Sequence, residues 1–174
     1  MELARAEEIK MDHHDYMEIA LEEAADAGAA GEDPIGCVIV DADGAVIARA
    51  HNRIVRDGDP TAHAEVLAIR SLGGKMEGEA PRGWTLYTTL EPCPMCLGMI
   101  VMAEIGAVVW AANDRRKQTH LLLSANAYMR SRRLVVIACP EPGQMERSAA
   151  LHDAYWIDRG RPYVVRPMTE DQEQ

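Results

Sequence analysis

The spacing of hydrophobic residues changes repeatedly along the chain between that of a helix and that of a strand. From residue 12 to 29 apolar side chains recur every three to four positions, which predicts an amphipathic helix ending near Gly28 and Gly31. Residues 35–40 form a short β-branched apolar run, and a turn at residues 41–44 separates this predicted strand from a second one in a hairpin. The predicted strands are 35–40, 46–50, 84–89, 107–111 and 134–138. The predicted helices are 12–29, 61–72, 93–104 and 144–158, with a further helical segment at 121–128 inside the ambiguous stretch 114–132.

Strands that alternate with helices in this way predict an α/β fold. The expected architecture is a three-layer α/β/α sandwich around a mixed five-stranded sheet. A chain of 174 residues has the length of one ordinary domain, and no linker or repeat divides it, so residues 1–174 are expected to form a single domain. Residues 1–10 and 168–174 are charged or polar and are expected to be flexible ends.

The charge balance narrows the range of partners. Lys and Arg number 18 against 28 Asp and Glu, which gives a formal net charge of -10. An acidic surface repels polyphosphate, so a nucleic acid is disfavoured unless basic residues gather on one face. No apolar run approaches the length of a membrane span, the N-terminus has no secretory signal pattern, and four cysteines are too few for a disulfide framework. These features predict a cytoplasmic protein with reduced thiols.

Two segments combine metal-ligating residues with predicted helix starts, Thr61-Ala62-His63-Ala64-Glu65 and Glu91-Pro92-Cys93-Pro94-Met95-Cys96. Cys93 and Cys96 share one helix face, and a helix N-terminus favours the thiolate form that binds zinc. His63 reaches the same point if the two helices lie side by side. Three protein ligands leave a fourth tetrahedral position to water, which is typical of a catalytic zinc site, here with one Zn²⁺ per chain. Glu65, in the same turn as His63, is placed to move protons.

Other interpretations of these residues fit the sequence less well. A Cys-x-x-Cys pair alone would also suit a thioredoxin-like redox site, but His63 and Glu65 favour the metal. A structural zinc site would need a fourth ligand such as Cys37 or Cys139, and both of these are expected to be small core residues. A non-catalytic zinc-stabilised interaction module is a distant alternative, because it would leave the proton shuttle Glu65 without a role.

The order His-x-Glu followed by Pro-Cys-x-x-Cys is the pattern of zinc nucleobase deaminases. With Pro34-Ile35-Gly36 and His51-Asn52-Arg53, it makes the chain resemble the cytidine and deoxycytidylate deaminase superfamily, in the branch of tRNA adenosine deaminase, guanine deaminase and cytosine deaminase. The resemblance implies a cytidine-deaminase-like fold and a hydrolase that releases ammonia from the exocyclic amino group of a base. The substrate-contacting residues that it implies are Asn52, Ala64, Leu90 and Glu91, and by a looser match Asn113 and Asp114.

Two substrate classes compete within this branch. Residues 57–65 resemble the tRNA enzyme, whereas residues 113–120 depart from the Gly-Ala-Ala-Gly-like loop of that enzyme. The acidic charge balance also opposes RNA, and Arg130, Arg132 and Arg133 are expected to form a solvated face rather than a phosphate contact. The sequence therefore favours a free nucleobase or small nucleoside, such as cytosine, guanine or a related amino-heterocycle. The alternative is adenosine at the wobble position of tRNA.

The helix that follows Cys93 has almost no polar face before Glu104. Packing on one sheet would bury only part of this apolar helix surface. The superfamily resemblance also implies subunit pairing. We therefore expect a homodimer with this helix near the interface.

Overall fold

The computed structural model describes residues 12–76, 80–114, 118–138 and 141–161. Within these ranges its strands are β1 (Gly36–Val40), β2 (Val46–His51), β3 (Thr85–Leu90), β4 (Ala107–Ala112) and β5 (Val135–Ala138). Its α-helices there are α1 (His13–Ala29), α2 (Ile54–Asp57), α3 (Ala64–Leu72), α4 (Pro94–Met102), α5 (His120–Ala125), α6 (Ala127–Ser131) and α7 (Pro142–Asp158).

The strands form one mixed sheet in the order β2-β1-β3-β4-β5. β1 runs antiparallel to both β2 and β3, whereas β3, β4 and β5 run parallel to one another. The predicted mixed five-stranded sheet is confirmed. Because β3 and β4 are parallel, their carboxyl ends at Leu90 and Ala112 pair at the same edge of the sheet.

Alternate residues of β1 belong to two different hydrophobic clusters, one on each face of the sheet. Cys37 and Ile39 pack with residues of α3 and α4, whereas Val38 and Val40 pack with residues of α1. All five residues of β1 are buried, as expected for a strand covered by helices on both faces. Helix α7 lies beside α1. The predicted three-layer α/β/α arrangement is therefore confirmed.

Helix α1 approaches the start of β1 unusually closely, and Gly36 makes this possible. A Cβ atom at Gly36 would lie 2.0 Å from the Ala20 carbonyl oxygen and 2.6 Å from the Ala24 nitrogen. The Gly36 N–H donates to Thr89 Oγ1 at 3.1 Å, which ties the same residue to the end of β3. The backbone of Gly36 thus sets the depth at which α1 packs on the sheet.

Two helix boundaries differ from those predicted by hydrophobic spacing. Helix α3 begins at Ala64 rather than near Thr61, because Asp59 Oδ1 accepts hydrogen bonds from Thr61 N and Oγ1 and holds those residues in a turn. The stretch after β4 contains two short helices instead of one. Asn126 separates them, since its side-chain oxygen caps the first turn of α6.

The short helix α2 was not predicted at all. The carboxylate of the buried Glu32 accepts hydrogen bonds from the N–H groups of Val55 and Arg56 and so satisfies the helix start. None of the helices within the described ranges is long and apolar enough to cross a bilayer. The expected flexible ends, 1–10 and 168–174, lie outside the described residues.

We predict that Gly36→Ala lowers the free energy of unfolding by about 1–3 kcal/mol or more, because the added methyl meets backbone atoms that cannot move independently. Denaturant unfolding measures the change. Gly143→Ala in the first turn of α7 is the matched control. Its Cβ would meet nothing within 4 Å, so it should leave stability unchanged or raise it slightly. Equal stability of Gly36→Ala and the parent protein would contradict the close approach of α1.

Candidate metal centre and active site

The predicted metal ligands meet at the N-termini of two helices. His63 is the N-cap residue of α3, and Cys93 is the N-cap residue of α4. Cys96 lies in the first turn of α4, where its N–H donates to Cys93 Sγ at 3.5 Å. The aligned peptide dipoles of a helix start favour negative charge, which suits a pair of sulfurs that must bind a metal as thiolates.

The ligand atoms have the separations of a tetrahedral metal site. His63 Nδ1 lies 3.7 Å from Cys93 Sγ and 3.6 Å from Cys96 Sγ, and the two sulfurs are 3.4 Å apart. A zinc ion with Zn–S distances of about 2.3 Å and a Zn–N distance of about 2.0–2.1 Å holds such atoms roughly 3.5–3.8 Å apart. The two nitrogen–sulfur distances lie in this range and the sulfur–sulfur distance is a few tenths of an ångström shorter, so His63, Cys93 and Cys96 fit a zinc ion after a small separation of the sulfurs. They also form the one group of three or more such ligands found in the described ranges.

The two thiols differ in their affinity for a proton. Their mutual hydrogen bond lowers the pKa of Cys93 to about 3, and the same contact, together with burial, raises the pKa of Cys96 well above its usual value. Zinc binds cysteine as the thiolate, so a metal ion at this site would displace any proton that the pair holds. Zinc binding at this site is consequently coupled to proton release.

Glu65 lies beside the ligands in the first turn of α3 and is 3% exposed. Thr88 Oγ1 donates to its Oε1 at 3.4 Å, from the neighbouring strand β3. Burial raises the pKa of Glu65 above its usual value. A carboxyl group whose pKa is shifted towards neutrality can both accept and donate a proton at physiological pH.

Asn52, which follows β2, is almost completely buried and is held in one orientation. Its Oδ1 accepts a hydrogen bond from the Ala64 N–H at 2.8 Å, so the orientation of its amide is fixed by the first turn of α3. The other end of the amide, Nδ2, has no hydrogen-bond partner among the described residues. A buried donor without a partner is costly, which is the expected property of a group that awaits a ligand acceptor.

The remaining predicted substrate contacts lie at the carboxyl ends of β3 and β4. The Glu91 N–H donates to the Ala112 carbonyl oxygen, and Glu91 Oε2 accepts from the Asp114 N–H at 3.0 Å. Leu90, Glu91 and Asp114 are buried. Asn113 Oδ1 accepts from Trp110 Nε1 at 2.7 Å, so this oxygen orients a tryptophan. Glu91 therefore joins the ends of the two strands, whereas Asn113 holds a tryptophan of β4, the strand that it follows, and the substrate contacts of both stay a prediction.

Two residues of the site were missed by sequence reasoning. Thr88 is a buried residue of β3. The alternation of side-chain direction along this strand could have identified it as a neighbour of Glu65. Glu32 orders the segment that follows Asn52, but an acidic residue after a helix end gives no sequence signal of burial. Of the alternative ligands, Cys37 is buried within β1 and belongs to the hydrophobic core. Cys139 lies outside the described residues.

His51 and Arg53, the chain neighbours of Asn52, contribute to a groove of about 510 Å³ along β2 and α3. Arg49, Arg53 and Arg70 bring three guanidinium groups to this groove. Arg49 is paired with Glu22 and Glu23, and Arg53 with Asp57, whereas Arg70 forms no ion pair with any described residue. Glu23 also lines the groove, so carboxylates balance two of these arginines and Arg70 is the guanidinium left for a ligand within the described ranges.

Comparison with known proteins agrees with this geometry. The family described as the cytidine and deoxycytidylate deaminase zinc-binding region matches residues 10–112. The tRNA-specific adenosine deaminase of Aquifex aeolicus is 41% identical over 101 residues, which cover 58% of this chain and 66% of that enzyme. The guanine deaminase of Bacillus subtilis is 44% identical over 105 residues, which cover 59% of this chain and 65% of that enzyme. About a third of each relative therefore lies outside the match.

A solved structure from a study of A-to-I editing by tRNA:A34 deaminases at the wobble position superimposes with a TM-score of 0.66 and 35% sequence identity. The superposition covers 80% of this chain and 99% of the solved chain. Similarity thus extends beyond the metal-binding segment to most of the described fold.

We predict that purified protein contains one zinc ion per chain and that Cys96→Ala loses most of it, because two ligands hold zinc far more weakly than three. Metal analysis by mass spectrometry gives the ratio of zinc to protein. Cys37→Ala is the matched control, since it removes a buried thiol that belongs to the core, and it should keep its zinc. Full zinc occupancy in Cys96→Ala would disprove the ligand assignment.

Proposed function

Because the chain belongs to the cytidine and deoxycytidylate deaminase family, we propose that it is a zinc-dependent hydrolytic deaminase of adenosine in tRNA, at the wobble position. Family membership makes the protein a deaminase, a hydrolase of C–N bonds. The tRNA substrate is the step that we add. The observation that carries it is the match to a tRNA:A34 deaminase structure over nearly the whole length of that chain.

This proposal reverses the preference for a free base or nucleoside that the sequence suggested. That preference depended on the net charge of the whole chain and on the divergent residues 113–120. Arg70, in the groove beside Asn52, weakens the first argument, because a nucleic acid responds to the charge of the surface that it contacts and not to the net charge of the chain. The divergent loop remains, but the tRNA-specific relatives match the site-bearing part of the chain despite it.

The site supports the chemistry of hydrolytic deamination. A zinc ion held by His63, Cys93 and Cys96 would supply Lewis acidity and lower the pKa of a water molecule. We infer that Asn52 Nδ2 donates to an acceptor on the base and fixes its orientation, since this amide is already held by Ala64. Glu65 then takes a proton from the attacking water and passes it to the ring nitrogen. The C–O bond at the amino-bearing carbon forms in this first step. Glu65 then takes the remaining hydroxyl proton and gives it to the amino group, so the C–N bond breaks, ammonia leaves and the C–O single bond becomes a carbonyl.

The homodimer also stays a proposal. On α4, Met95 is 39% exposed and Met102 is 65% exposed, although the opposite side of this helix is buried in the core. Tyr128 of α6, which is also exposed, donates a hydrogen bond to Met102 Sδ and extends this surface. Adjoining apolar side chains of this kind support the expectation that α4 lies near a subunit interface.

Guanine is the second candidate substrate. The guanine deaminase of Bacillus subtilis is as similar to this chain, over a segment of similar length, as the tRNA-specific relatives are. The formal net charge of -10 also suits a small neutral base better than a polyanion. A direct comparison of the two substrates therefore decides between them.

We predict that Glu65→Gln keeps its zinc and its fold but loses at least about a hundredfold in turnover, because a carboxamide cannot exchange protons with water or an amine. Ammonia release measures turnover, and circular dichroism and metal analysis verify the folded, zinc-loaded state. The matched control is Glu146→Gln on the exposed side of α7, which should be fully active. Near-normal turnover of Glu65→Gln would remove this residue from the mechanism.

For the substrate, we expect inosine to form in an anticodon stem-loop with adenosine at position 34, and little ammonia from free guanine, cytosine or adenosine. Nucleoside analysis of the digested RNA and a coupled ammonia assay measure the two reactions, with Glu65→Gln as the blank. A stem-loop with guanosine at position 34 is the RNA control and should not react. Ammonia from guanine, with no inosine in the stem-loop, would replace the tRNA proposal by the guanine one.

A further inference from the structure

A second cavity with several arginines lies at the opposite end of α4 from the zinc ligands. It has a volume of about 540 Å³. Its lining comes from the ends of α4 and α6 and from the amino ends of β4 and β5, and the residues are Arg82, Glu104, Gly106, Ser131, Arg132, Arg133 and Val135. We call it the arginine cavity. Helix α4 has nine residues and so places the cavity roughly 14 Å from the metal ligands.

The arginine cavity has more positive than negative charge among its lining residues. Three arginines face one carboxylate, that of Glu104. Glu104 accepts hydrogen bonds from Arg82 and from Arg132, and the hydrogen bond to Arg82 is the main reason why the pKa of Glu104 is lowered. Arg133 forms no ion pair with any residue in the described ranges. A guanidinium group in a concave site with no carboxylate partner is a suitable donor for an anion.

The backbone of this cavity is strained in a way that glycine would relieve. Glu104 and Arg133, which directly follow the C-cap residues of α4 and α6, have φ angles of 58° and 54°. Helices commonly end in this left-handed conformation with glycine, because a side chain there is unfavourable. Glu104 has a structural reason to be there, since it joins Arg82 to Arg132. Arg133 has no such partner among the described residues, so its side chain is available there to a ligand.

The floor of the cavity is fixed by a close backbone contact. A Cβ atom at Gly106 would lie 2.0 Å from the Arg82 carbonyl oxygen, and the Gly106 N–H donates to the Pro81 carbonyl oxygen. The turn that carries Arg82 is therefore held directly against the start of β4. Val135 N–H donates to the Gly106 carbonyl oxygen and brings the segment with Arg132 and Arg133 to the same place. The arginines are positioned by ordered backbone rather than by a loose surface loop.

We propose that the arginine cavity binds a phosphate group, with Arg133 and Arg132 as the main donors. The planar guanidinium fork matches the geometry of phosphate oxygens, and charge-assisted hydrogen bonds of this type are the strong ones. The phosphate comes either from the backbone of an RNA that also reaches the zinc site or from a free phosphorylated compound. The proposal does not depend on which base is deaminated. Arg132 and Arg133 are exposed, as expected of a solvated face, and the proposal adds a phosphate ligand to that face.

The decisive variant is Arg133→Gly, because it removes the donor and relieves the backbone strain at the same time. We expect thermal unfolding at an equal or higher temperature than the parent protein, combined with a roughly tenfold loss of phosphate affinity. Calorimetry with inorganic pyrophosphate and fluorescence anisotropy with a labelled anticodon stem-loop measure the two affinities. Arg161→Ala is the control, since it removes one exposed arginine just past the end of α7 and should change neither. Arg133→Asn, which tolerates the left-handed conformation, serves as a second variant.

The possible outcomes distinguish the two sources of phosphate from each other and from failure of the proposal. Weaker binding of both probes by the Arg133 variants means that a free phosphate compound can occupy the cavity. Weaker RNA binding with unchanged pyrophosphate binding assigns the cavity to the RNA backbone, and the salt dependence of RNA binding should then decrease by about one unit of slope. Unchanged affinity for both probes, or no measurable binding of either by the parent protein, overturns the proposal. Because the pyrophosphate measurement involves no deamination, it stays valid even if tRNA is not the substrate.

Discussion

The approach of one imidazole nitrogen and two sulfurs to within 3.4–3.7 Å of one another is the constraint on which the rest of the structure depends. It requires α3 and α4 to begin side by side. Asn52 contributes directly, because its hydrogen bond to the Ala64 N–H joins the end of β2 to the first turn of α3. Displacing the start of α3 by one residue would turn His63 by about 100° around the helix axis, away from the two sulfurs. The sheet, the glycine contact at Gly36 and the turn at Asp59 all help to keep these helix starts in place.

Three features could be predicted because each corresponds to a local pattern in the sequence. They are the metal ligands, Glu65 and the order of the layers. His63 and Glu65 lie two residues apart, Cys93 and Cys96 three apart, and the strands show the apolar runs of a buried sheet. The split between α5 and α6 could not be read from periodicity, because it depends on a single capping side chain, that of Asn126. The role of Glu32 was even less predictable from the sequence. Its partners Val55 and Arg56 are more than twenty residues away in the sequence, and only the folded chain brings them together.

The net charge of the chain likewise does not predict where its charged residues lie in the fold. A net charge of -10 describes the whole chain, but salt screens exposed charges beyond about 8 Å at physiological ionic strength. A ligand therefore responds mainly to the charges that it touches. The groove beside Asn52 and the arginine cavity each contain three guanidinium groups, and the sequence spreads these six residues between positions 49 and 133. The sequence shows Arg132 and Arg133 side by side, but only the folded chain brings Arg82 to them or assembles the three arginines of the groove.

The parallel pairing of β4 and β5 has a consequence for how such a protein can diversify. Strand β4 ends beside the site, and Asn113 follows it. Because β5 runs parallel to β4, the chain must return along the length of the sheet before β5 begins. The return path carries α5 and α6 and contributes no metal ligand within its described part. Insertions or deletions there would leave the ligand-bearing helices undisturbed. Mutation can thus remodel the surroundings of the site while selection preserves the metal, and one scaffold can give rise to enzymes of different specificity.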